Sequence, residues 1–141
     1  MDFFILGFGQ DAAGEVYLLT NNTGVPAGTT GKLIRIAAAV SLETSGSCPG
    51  MLTAQAGNAT PGGTVAFLRA TGVGSQQIPN GNPCAGTVLG LNQTATLVMT
   101  RTANAQGVAT ISGNVPANAC GHVFLQAIDV PTCTTSNVEG L

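Results

Sequence analysis

Turn-forming residues recur so closely along this chain that no run between them suits a helix of useful length. The stretches Asn58-Ala59-Thr60-Pro61-Gly62-Gly63, Asn80-Gly81-Asn82-Pro83 and Asn104-Ala105-Gln106-Gly107 supply asparagine, glycine and proline where the backbone must reverse. Between them the apolar residues alternate with polar ones. Leu52, Ala54 and Ala56 share a face in 51–57, Val65 and Phe67 share one in 63–71, and Ala95, Leu97 and Met99 oppose threonines in 94–101. Period-two runs are half-buried strands. Further short runs fall at 87–91, 107–115, 121–130 and 133–138. About seven short strands in about 90 residues predict an immunoglobulin- or fibronectin-like β-sandwich.

The segment before this pattern reads as a separate element of the same all-β class. Apolar runs at 3–8, 15–20 and 31–37 are split by a turn at 11–14 and a loop at 21–30, which predicts a three-stranded antiparallel meander. Such a sheet buries little on its own and needs a partner surface. Its first strand, carrying Phe3, Phe4, Ile5 and Leu6, would leave unpaired backbone groups on its outer edge, a place for strand addition by a neighbouring chain. The Ser/Gly/Pro-rich stretch 41–50 reads as a linker, giving a meander over 1–40 and a sandwich over 51–141.

Charge narrows the function classes. Four basic and six acidic side chains leave a net charge of −2, so there is no basic surface to neutralise a nucleic-acid backbone. The longest apolar candidate, 33–40, is cut by Arg35 and falls far short of the roughly 18 residues of a membrane span. Cys48, Cys84, Cys120 and Cys133 are even in number and widely spaced, without a C-x-x-C pair, and His122 is the sole histidine. Two disulfides and an oxidising compartment follow better than a metal site. With Cys48 ahead of the first sandwich strand and Cys133 opening the last, Greek-key topology predicts Cys48–Cys133 and Cys84–Cys120. The low charge and the abundance of Thr, Asn and Gly fit an extracellular bacterial surface. The N-terminal Met1-Asp2-Phe3-Phe4-Ile5-Leu6 lacks the basic region and long apolar stretch of a signal peptide, so the expected natural start lies upstream.

Tests for chemistry mostly fail on context. Gly7-Phe8-Gly9-Gln10-Asp11-Ala12 fits a dinucleotide fingerprint, but strand-prone Val16-Tyr17-Leu18 follows where a helix must begin. Gly28-Thr29-Thr30-Gly31-Lys32 lacks the first glycine and the hydroxyl of a phosphate loop. His122 has no serine elbow to serve. The six carboxylates, Asp2, Asp11, Glu15, Glu43, Asp129 and Glu139, contain no close pair of the glycosidase type, and Asp11 lacks the spacing of a calcium loop. The sequons at Asn21, Asn58 and Asn92 matter only in a eukaryotic secretory host. No catalytic, cofactor-binding or metal-binding residue is expected.

One resemblance stands out. Residues 5–20, Ile5-Leu6-Gly7-Phe8-Gly9-Gln10-Asp11-Ala12-Ala13-Gly14-Glu15-Val16-Tyr17-Leu18-Leu19-Thr20, followed by Gly28-Thr29-Thr30-Gly31-Lys32-Leu33-Ile34-Arg35-Ile36, resemble the closing blade of the soluble PQQ-dependent glucose/sorbosone dehydrogenases, which are six-bladed propellers. In that family the residues binding PQQ, calcium and sugar lie on other blades, so none carries onto this segment. The resemblance implies ancestry without activity, since about three strands cannot close a propeller. Residues from Cys48 onward are similar to small disulfide-bearing β-modules appended to secreted bacterial proteins. Three functions follow as expectations: a non-catalytic extracellular structural or binding module, a self-assembling filament or surface-layer subunit, and a fragment of a PQQ-dependent dehydrogenase.

Overall fold

The computed structural model describes residues 4–12, 16–25, 27–36 and 39–141, and apart from one 3-10 turn over Ala117–Ala119 their regular structure is entirely β. The strands are β1 (Phe4–Gln10), β2 (Val16–Asn21), β3 (Lys32–Ile36), β4 (Ser41–Gly46), β5 (Gly50–Gly57), β6 (Thr64–Ala70), β7 (Thr96–Thr102), β8 (Ala109–Val115), β9 (Phe124–Asp129) and β10 (Thr134–Gly140). They divide between two units, Met1–Ala38 and Ala39–Leu141.

In the first unit β1, β2 and β3 form an antiparallel sheet in chain order, the meander expected from the spacing of the apolar runs. Its register aligns Phe8, Leu18 and Ile34 on one face, and Gly7, Leu19 and Leu33 on the other. The loop after β2 is organised by Asn21, whose side-chain oxygen accepts the Thr23 N–H at 3.2 Å and the Gly24 N–H at 2.8 Å. This is the local side-chain competition that makes asparagine a turn former.

The second unit is a sandwich of two antiparallel sheets, ordered β4-β5-β8 and β10-β9-β6-β7. Alternation turns Leu42, Ala54 and Ala56 of the first sheet toward Val65, Phe67, Leu125 and Ala127 of the second, and these side chains form one buried cluster. Ala59, Ala103 and Ala109 complete it. Phe67 is the sole aromatic among the fully buried side chains. Small residues let the sheets pack closely but remove little apolar area from water. The turn after β7 makes a close approach to the one after β5: the Ala59 N–H donates to the Gly107 carbonyl at 3.0 Å. Gly107 has φ +71°, and a Cβ there would meet the Ala59 carbonyl oxygen at 2.3 Å, so glycine is required on both counts.

Two expectations are corrected here. The stretch 41–50 is not simply a linker, because it holds β4 and the turn into β5. As an edge strand with water on one face, β4 needs just one strongly buried side chain, Leu42, and so looks like a polar loop in sequence. Conversely, 87–91 is not a strand of either sheet and pairs instead within the connection between β6 and β7, with bridges at Val73↔Leu91 and Gln77↔Val88.

The disulfide pairing is also corrected: Cys48 bonds Cys120 and Cys84 bonds Cys133, with Cα separations of 5.6 and 5.2 Å. The expected pairing placed Cys48 before the first strand of the sandwich. Cys48 instead precedes the second strand, β5, and β5 pairs with β8 so that Gly50 faces Val115. The chain leaving β8 therefore brings Cys120 beside Cys48. Cys133 lies in the turn between β9 and β10, where Cys84 reaches it from the long connection between β6 and β7.

One side of the sandwich is sewn by a side chain. Asn137, at a bulge in β10, accepts the Leu42 N–H at 2.8 Å and donates its amide to the Leu42 carbonyl at 2.9 Å. The amide imitates a backbone partner, tying edge strand β4 to edge strand β10 across the two sheets.

Candidate functional site

The segment 71–95 between β6 and β7 is far longer than the usual hairpin loop of about 2–5 residues. Its ends are pinned together, with the Thr71 N–H on the Thr94 hydroxyl at 2.8 Å and the Asn92 N–H on the Gly72 carbonyl at 3.0 Å. A short ribbon follows, in which Gln76 N–H meets Leu91 O at 3.0 Å, Leu89 N–H meets Gln76 O at 2.8 Å and Ile78 N–H meets Thr87 O at 2.9 Å. Loops of this kind, with their ends joined and their own internal packing, are frequently functional.

The excursion covers the outer face of the four-stranded sheet. Leu89 and Leu91 are buried with Ala70 and Ile128, and Ala66, Leu68 and Ile78 pack against them. A buried glutamine stitches the two layers: Gln126 accepts the Gly90 N–H at 2.9 Å and donates to the Ser136 carbonyl at 2.8 Å. Beyond it, the Cys84–Cys133 bridge anchors the tip to the turn after β9. Between cover and sheet lies a cavity of about 660 Å³, floored by Leu68, Ile128 and Val130 and bordered by Gln77 and Asn82. No charged side chain lines it. The Gln77 and Asn82 amides donate to the Gly86 and Pro79 carbonyls at 3.1 and 3.2 Å, which holds the tip in shape. A cavity of this size, lined by apolar side chains with amides and hydroxyls among them and no charge, suits a neutral ligand and opposes an ion, whose hydration no lining charge would replace.

The residues singled out from the sequence are distributed, not assembled. The four cysteines are all in bridges. Phe4, Ile5 and Leu6 lie on β1, at an edge of its sheet, whereas Phe3 falls outside the described residues. His122 is exposed in the turn after the 3-10 segment. Asp11 accepts the Tyr17 hydroxyl at 3.2 Å. Gly7 and Gly9 sit inside β1, not at a strand-to-helix junction, so the dinucleotide fingerprint has no structural counterpart. Asp2 and Glu15 lie outside the described residues.

Asp129 has a definite structural task. Buried at the end of β9, it accepts the Thr60 N–H at 3.1 Å, the Thr60 hydroxyl at 2.7 Å and the Thr132 hydroxyl at 2.6 Å. Those bonds fasten the turn after β5 to the turn after β9. Among the described residues no group of three His, Cys, Asp or Glu side chains is placed to hold a metal ion.

The excursion does not follow from the alternating pattern. Its signal is the long interval between the alternating runs of β6 and β7, with Cys84 near its middle, although the apolar Val88-Leu89 reads as a strand. Comparison of the chain with protein families, with curated proteins and with solved structures finds no match.

Proposed function

We propose that the chain is a non-catalytic extracellular module, structural or ligand-binding, derived from the C-terminal end of a secreted sugar-dehydrogenase-like protein. One observation supports this reading most strongly: the β1–β3 sheet is apolar on both faces. Phe8 on one face is 72% exposed and Leu33 on the other is 69% exposed, and no buried apolar residue among the described ones precedes Val40. An antiparallel sheet made to meet water on one side alternates apolar with polar. A propeller blade, stacked between neighbouring blades, is apolar on both sides. The two disulfides fit an oxidising compartment, and no helix among the described residues is long and apolar enough to cross a membrane.

Native-state hydrogen exchange tests the reading. The monomer, verified by light scattering, is expected to protect β2 far less than β5, β6 and β9, because a three-stranded sheet with uncovered faces is barely stable. Equal protection of β2 and β6 would overturn it. Dye-linked glucose oxidation with added PQQ and calcium is expected to show no turnover, and turnover would favour the dehydrogenase fragment.

A second reading, self-assembly by strand addition, draws on the position of β1 at a sheet edge with Phe4 and Ile5 exposed. It requires a mass that rises with protein concentration and falls back when Ile5→Lys places a charge on that edge.

A further inference from the structure

The two sides of the sandwich differ. On the β4–β10 side Asn137 ties the sheets together, but on the β7–β8 side the sheets part into a slot of about 320 Å³. Its walls are Leu52 and Ile111 from one sheet and Met99 and Leu125 from the other. Gly113 stands opposite Leu52 in register, and a Cβ built on it would touch nothing within 4 Å. Its volume lies at the small end of the range for ligand cavities, about 300–1,000 Å³.

An exposed cation borders this apolar slot. Along β6, Val65 and Phe67 point into the core, and the next residue in the same alternation is Arg69, beside Leu125 on β9. Arg69 lines the slot, and no acidic side chain does. Among the described residues no side-chain hydrogen bond or ion pair engages its guanidinium. The chain has just four basic residues, and Arg69, although exposed, is the one that lines this slot. A guanidinium offers paired donors matched to a carboxylate.

We propose that this slot binds an aliphatic monocarboxylate, with its tail between the sheets and its carboxylate on Arg69. The site is independent of the blade reading and of the chamber under the excursion. The competing account leaves Arg69 with its stem on the apolar wall and its head in water. Carboxylate selectivity separates the two.

The test is titration of the intact, oxidised chain with octanoate, butyrate and octanol, followed by amide chemical shifts. Octanoate is expected to shift Leu52, Met99, Ile111, Gly113 and Leu125. Butyrate, four methylenes shorter, should bind about 250-fold more weakly, since each methylene contributes a factor of about four. Arg69→Gln should weaken octanoate about tenfold and leave octanol unchanged. Gly113→Leu, which fills the slot without touching Arg69, should abolish binding of both. If octanol binds the wild-type protein as tightly as octanoate, if Arg69→Gln binds octanoate as the wild type does, or if octanoate shifts none of these residues, the proposal fails. Should Gly113→Leu not fold by circular dichroism, the Arg69→Gln variant and the chain-length series still decide.

Discussion

Removing the two disulfides separately should destabilise the sandwich unequally, and the structure sets the order. Cys48–Cys120 spans 72 residues and Cys84–Cys133 spans 49. Loop-closure entropy in the unfolded chain then makes them worth about 4.4 and about 4.1 kcal/mol. Backbone geometry widens the gap. Cys84 and Cys133 are held at φ +60° and +54°, whereas Cys120 has φ −66°. A left-handed conformation costs a non-glycine residue about 1–2 kcal/mol. Once freed, the partly exposed tip around Cys84 can relax and recover that much, while Cys133 stays fixed by its turn. Cys48→Ala with Cys120→Ala should therefore cost about 4 kcal/mol, and Cys84→Ala with Cys133→Ala about 2–3 kcal/mol. With a urea slope near 2 kcal/mol per molar, the midpoints fall by about 2 M and by about 1–1.5 M. Far-UV circular dichroism is the suitable probe, because the chain has no tryptophan and its one tyrosine, Tyr17, lies in the other unit. An equal or inverted order would refute the argument from backbone relief. A non-reducing peptide map joining Cys48 to Cys133 would refute the topology itself.

Two side-chain ties give further expectations. Asn137→Ala removes both hydrogen bonds between β10 and Leu42, and because these sit near the surface the loss should be about 1–2 kcal/mol by urea unfolding, with faster amide exchange at Leu42. Asp129→Ala strips a buried carboxylate from Thr60 and Thr132 and should cost on the order of 3–5 kcal/mol, a loss that Asp129→Asn recovers only in part because the amide keeps one acceptor oxygen. A change below about 1 kcal/mol in the alanine variant would show that water replaces the carboxylate without penalty.

The legible parts of this fold are those where burial imposes a period of two. Strands β5 and β6 bury Ala54, Ala56, Val65 and Phe67 at alternate positions, and their short apolar runs announce them, whereas β9 is buried on both faces and a bulge in β7 puts Met99 beside Phe67 but Leu97 beside Leu68. The exceptions share a cause. Strand β4 buries only Leu42 strongly and holds its place through pairing with β5 and the Asn137 bridge, neither of which leaves an apolar pattern. The 71–95 excursion does the reverse: Leu89 and Leu91 are buried, yet their burial comes from lying on a sheet and not from joining one. Apolar content reports burial, and only period reports pairing. The cysteine pairing failed for the same reason, since one unseen edge strand moved Cys48 from the entrance of the first strand to that of the second. Arg69 was invisible as a candidate because its interest depends on which face of β6 it occupies relative to Phe67.

Composition and construction then fit together. The interior between the sheets is built largely of alanine, with Phe67 as its single large ring, so apolar burial alone leaves the arrangement of the turns weakly determined. What fixes them are short polar side chains acting on the backbone. Asn104 caps the turn after β7 through the Gln106 and Val108 N–H groups, both at 2.9 Å. Asn92 holds Thr94, Asp129 joins two turns, Gln126 joins cover to sheet and Asn137 joins sheet to sheet. The abundance of Asn and Thr that looks in sequence like a solvated exterior is therefore part of the framework. The same logic separates the two units. The sandwich compensates for a thin core with polar ties and two covalent bridges, whereas the β1–β3 sheet has neither a buried apolar cluster nor a cysteine among its described residues. Phe8 and Leu33 accordingly stand exposed on a sheet that lacks both kinds of reinforcement.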